Sequence, residues 1–86
     1  YPDYKIHIQG HTDDESISTV KFPTNWELSA ARATAVLRYF YDKGADPKRM
    51  TATGYADTFP LPGVSNDTPQ GRALNRRVEF VLEKEN

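Results

Sequence analysis

An acid and a base stand out among the residues able to do chemistry: Asp13, followed by Asp14 in "GHTDD", and Arg32 in "LSAARATAV". On a helical wheel of about 100° per residue with Leu28 as zero, Arg32 falls at about 40° and Val36 at about 80°, which puts a charge inside the apolar stripe. Arg38, at about 280°, lies on the polar side. An interior-facing arginine either snorkels or pairs with an internal carboxylate, or else it offers its planar fork to a ligand carboxylate or phosphate. The two readings are compatible, since a protein carboxylate can hold the guanidinium while a ligand completes the site. Asp13 and Asp14 are the nearest candidate carboxylates, because ligands in sheets with helical crossovers bind outside the carboxyl ends of strands. Such a cleft suits a zwitterion, its ammonium on the carboxylate and its carboxylate on the guanidinium.

Other constellations are weaker. His7 and His11 share parity near Asp13 and Asp14, but polar strand faces and strand ends hold histidines for reasons other than metal, and His11 is expected to bond neighbouring backbone. Ser29, His11 and Asp13 have the types of a hydrolytic triad, yet Ser29 sits among helical alanines with no sharp nucleophile turn. Asp13 and Asp14 are adjacent and so poorly placed to flank a sugar at the ~5–10 Å a glycosidase needs. Arg72, Arg76 and Arg77, with Tyr55 as a stacking partner, suggest nucleic acid only until the charge is counted. Eleven basic against 12 acidic residues give a net charge of −1, which offers no general attraction to nucleic acid or an anionic membrane. No enzyme, metal or cofactor is expected.

Eighty-six residues make one small domain with a thin core, and without cysteine it has neither disulfide nor thiolate zinc site. No run approaches the ~20 apolar residues of a membrane span. The alternation of "YKIHIQ" predicts a strand over 4–9, with Tyr4, Ile6 and Ile8 on one face. The polar stretch "HTDDESISTVKFPT" predicts a long loop, and loops of that length are often functional. Thr24 and Glu27 form a capping box at the head of a helix over 25–43, with Gly44 as a left-handed stop. "MTATGYA" predicts a second strand parallel to the first. "TPQGRALNR" predicts a short helix with Thr68 as N-cap and Pro69 in its first turn. "RRVEFVLEKE" predicts a strand that buries Val78, Phe80 and Leu82. Trp26 and Tyr41 fall at or beyond the edge of the helix stripe, where packing is the ordinary explanation and another protomer the further one.

"GHTDD" after a strand, "NWELSAARA" opening a helix, "GYAD" after a second strand and "GRALNRRVEF" leading into the last resemble the OmpA-like peptidoglycan-binding domain, in the family's order. "FPTNWELSAARA" and the long loop before it are most similar to the periplasmic domains of the MotB flagellar stator family. The resemblance implies an α+β fold, a mixed sheet with helices packed on one face. It also implies non-catalytic binding of the diaminopimelate of the peptidoglycan stem peptide. Carried over, Asp13 takes the ligand's ammonium and Arg32 its carboxylate. Asn25, Leu28 and Thr12 line the site, and Arg76 is a further basic pocket residue, with Arg72 and Arg77 nearby. The implied setting is the periplasm, in a protein anchored in the inner membrane, as a homodimer partnered by a MotA-like stator subunit. A porin of the OmpA type or a lipoprotein of the Pal type is the alternative. Family members carry a further strand and helix ahead of the "GHTD" strand, so residues 1–86 are expected to be part of such a domain.

Overall fold

A computed structural model describes residues 4–16 and 18–84. Along the chain run β1 (Tyr4–His11), α1 (Asn25–Asp42), a 3₁₀ turn (Pro47–Arg49), β2 (Met50–Gly54), α2 (Pro69–Asn75) and β3 (Arg77–Lys84). The strands form one mixed sheet in the order β2-β1-β3, with β1 parallel to β2 and antiparallel to β3. This is the α+β architecture expected. The last strand was predicted to run to Glu85, which lies outside the described residues.

Local chemistry accounts for the element ends. Thr24 caps α1 by accepting from the Trp26 amide at 3.2 Å, while its own N–H donates to the Glu27 carboxylate at 3.0 Å. A hydrogen bond from the Thr24 hydroxyl, with smaller help from the Glu27 and Thr24 amides, holds the Glu27 carboxyl below its usual range. The helix stops at Asp42, and Gly44 takes the left-handed conformation (φ 97°) that glycine adopts without steric cost. The 3₁₀ turn was not expected, although Asp46 caps it by accepting from the Lys48 amide at 2.9 Å and Pro47 starts it. β2 ends before Tyr55 and Ala56 because the chain turns left-handed at Ala56 (φ 52°).

Residues paired across the register share a face, so Ile6, Ile8 and Gly10 lie beside Met50, Ala52 and Gly54 on one side and Leu82, Phe80 and Val78 on the other. α1 packs over β1 and β2, burying Ser29 and Ala33 against them. Two glycines permit this close approach. A Cβ on Gly10 would stand 2.1 Å from the Ser29 carbonyl oxygen, and one on Gly54 would stand 2.5 Å from the Ala30 amide nitrogen. The expected burial of β3 is only half realised: Phe80 and Leu82 point to the helix side but remain 51% and 50% exposed, because α1 lies over the other two strands. Phe80 meets α1 through Phe40, edge to face, with ring centroids 5.8 Å apart.

Candidate functional site

The site forms where the carboxyl end of β1 meets the first turns of α1. Three hydrogen bonds fix that junction. The Thr12 amide donates to the Ala56 carbonyl at 2.8 Å, the Ala56 amide donates to Ser29 Oγ at 3.0 Å, and Ser29 Oγ donates to the Trp26 carbonyl at 3.0 Å. Ser29 is wholly buried and its hydroxyl is committed to tying α1 to the turn after β2, a structural role that its sequence context did not reveal.

Beside this junction lies an open cavity of about 230 Å³ lined by Thr12, Asp13, Asn25, Leu28, Arg32 and Arg76, with Glu15 and Ser16 on the loop side. All six residues singled out from the sequence thus come together, although Arg76 is 63 residues from Asp13. Their pairing differs from the expectation built on the helical wheel. Asp13, buried at 5% exposure, receives a hydrogen bond from Arg76 Nη1 at 2.6 Å through one oxygen and from the Glu15 amide at 3.0 Å through the other. Arg32 is exposed rather than turned into the core, and among the described residues it has no ion-pair partner. The stripe that packs on the sheet centres on Ser29, Ala33 and Phe40, which moves Arg32 to its margin.

The neighbouring charges are arranged as supports. Arg72 Nε lies 3.3 Å from Glu15 Oε1, and its Nη1 donates to the Asn66 carbonyl at 3.0 Å. Asn25 Nδ2 donates to the Glu15 carbonyl at 2.9 Å, so α1 and α2 both brace the loop that carries Glu15. Wholly buried Asn75 accepts from the Leu61 amide and donates to Asn66 Oδ1, both at 2.8 Å, fixing the end of α2 from which Arg76 projects. Arg77 does not line the cavity. It donates to the carbonyls of Asn75 (3.2 Å) and Phe59 (2.9 Å) and to Glu79 (3.1 Å). With Asp13 paired to Arg76 and Glu15 to Arg72, Arg32 supplies the uncompensated charge, a chemistry that suits an anionic group.

The two histidines lie on the face of the sheet away from α1. His7 Nδ1 is 2.7 Å from Thr51 Oγ1 and its Nε2 is 3.0 Å from Glu83. His11 was expected to bond neighbouring backbone; instead its buried ring stacks on Tyr55, centroids 5.4 Å apart, with Nε2 3.1 Å from Glu79. Burial, and then the Arg77 charge, lower the His11 pKa, while Glu79 opposes them.

A family model confirms the class that fold and cavity define: residues 1–76 match the OmpA family, and the chain belongs to it. Its relatives and structural neighbours include motility proteins and cell-wall-binding proteins. A solved structure of a MotB-like protein from Desulfovibrio vulgaris shares 48% identity and superposes with a TM-score of 0.87, covering 99% of this chain and 52% of that one. Motility protein B of Bacillus subtilis is 38% identical, covering 94% of this chain and 31% of its own length. Peptidoglycan-binding protein ArfA of Mycobacterium tuberculosis is 37% identical, covering 94% of this chain and 23% of its own. The chain therefore spans about half of that solved structure and a third or less of these two curated relatives.

Proposed function

We propose that this domain binds peptidoglycan without altering it and thereby anchors a flagellar stator complex to the cell wall. The observation that carries the proposal is Arg32, free of ion pairs among the described residues, facing a cavity whose other charges are already matched. In this reading the guanidinium grips the carboxylate of diaminopimelate in the stem peptide. Asp13, held still by Arg76, keeps lone pairs for the ligand's ammonium, since a carboxylate has about four acceptor sites. Likeness to Motility protein B and to a MotB-like structure supports the stator setting, and likeness to ArfA supports the polymer. The setting is periplasmic, with a MotA-like subunit and a second copy of the chain as partners. Exposed Trp26, Tyr39 and Tyr41 on α1 supply apolar surface for that second copy.

Co-sedimentation of the full chain with purified peptidoglycan tests the reading. Arg32→Ala should cut affinity by about 10- to 100-fold, the value of a lost charge-assisted contact. Arg32→Lys, which keeps the charge without the fork, should recover part of it. Because Arg32 is exposed, neither change should unfold the domain; unchanged retention of Arg32→Ala overturns the proposal.

A further inference from the structure

The side of the sheet turned away from α1 carries a second cavity, of about 280 Å³, lined by Gln9, His11, Tyr55, Phe59 and Glu79. It shares no residue with the Arg32 cavity. Gln9 and Glu79 are paired across β1 and β3 and form its floor with His11. Tyr55 and Phe59, from the turn after β2, form an aromatic wall, edge to face with centroids 5.3 Å apart. Phe59 is 59% exposed, an aromatic ring kept in water beside a polar floor.

One feature of this cavity is costly to the fold. His11 is 97% buried by residue surface, yet neither ring nitrogen has a hydrogen-bond partner; Nε2 lies 3.1 Å from Glu79 Oε2 without the geometry of a bond. Buried polar atoms are nearly always satisfied, and an orphaned one at a cavity wall is a group waiting for a partner. The charges narrow what that partner can be. Glu79 is matched by Arg77 at 3.1 Å, so the site has no net charge to attract an ion. His11 with a depressed pKa is a neutral ring, one nitrogen a donor and the other an acceptor. Among the described residues no group of three His, Asp or Glu side chains is gathered to hold a metal.

We infer that this cavity is a binding site for a neutral sugar ring. Its apolar C–H face would lie on Phe59 and Tyr55, and its hydroxyls would bond Gln9, Glu79 and His11. The volume lies just below the ~300 Å³ at which small-molecule sites begin, the scale of a single ring. The inference rests on the proposed function only in naming the polymer that would bring the sugar, the glycan strand whose stem peptide occupies the other cavity. Two weak contacts to one polymer reinforce each other through effective concentration.

Titration of the full chain with chitotetraose, followed by NMR of its aromatic and imidazole resonances, tests this. Saturable shifts are expected at His11, Tyr55 and Phe59. Phe59→Ala should weaken binding at least tenfold and Gln9→Ala severalfold, while Arg32→Ala should leave it unchanged. Absent shifts, shifts centred on Asn25 and Leu28, or wild-type affinity in Phe59→Ala overturn the inference. A stem tripeptide titrated in parallel separates the two claims: sugar binding without peptide binding rejects the anchor reading alone, and peptide binding without sugar binding rejects this one alone.

Discussion

The two ends of α1 are held to the sheet in different ways. At the first turns, backbone meets backbone through Gly10 and Gly54, and Ser29 and Ala56 close the joint with buried hydrogen bonds. Toward the last turns, contact is made by side chains such as Phe40 on Phe80, and Tyr39, Phe80 and Leu82 stay largely in water. Packing precision is concentrated at the end that bears Arg32. Catalytic and binding groups need supports that do not give, and a glycine-mediated helix seat leaves fewer rotamers to give than an aromatic one.

The contrast can be broken by substitution. The largest effect is expected from Gly10→Ala, whose methyl would collide with the Ser29 carbonyl; overpacking should cost about 3 kcal/mol in urea unfolding, at the top of its ordinary range. Ser29→Ala should follow, since it leaves the buried Ala56 amide unsatisfied, with a loss of about 1–3 kcal/mol and weakened peptidoglycan retention as α1 loosens. Leu82→Ala, at the open end, should cost only about 1 kcal/mol, roughly half the value of a fully buried leucine, and should leave retention unchanged. Equal losses at Gly10 and Leu82 would erase the distinction. The smallest effect is one of pH. His11 has a folded pKa below its ordinary 6.5, so the unfolded chain binds the proton more readily. Stability should therefore fall as pH drops below about 6.5 toward the folded pKa, and His11→Asn should flatten that part of the profile in thermal melts.

Sequence reasoning reached the elements because their ends are written locally: the Thr24 and Glu27 box, Gly44, and Thr68 before Pro69. It also singled out, through resemblance, six residues that line one cavity. The pairing within the site was out of reach. Asp13 and Arg76 are brought together by the buried Asn75 hub and by α2, and no periodicity in "GRALNRR" announces that hub. The wheel misplaced Arg32 for a related reason. Where a helix sits close on a sheet, the buried positions are small, and Ser29 and Ala33 carry too little hydropathy to mark the centre of the face. The half-open β3 was equally hidden, because alternation reports which way a side chain points and not what lies above it.

The glycine seat also has a mechanical meaning. A pull on Arg32 loads α1 within two turns of its contact with β1 and β2, where main-chain atoms bear on one another with no flexible side chain between them. Tension entering at the guanidinium is thus passed to the central strand over a short, stiff lever, and the compliant half of the helix, from Phe40 onward, stays outside the force path.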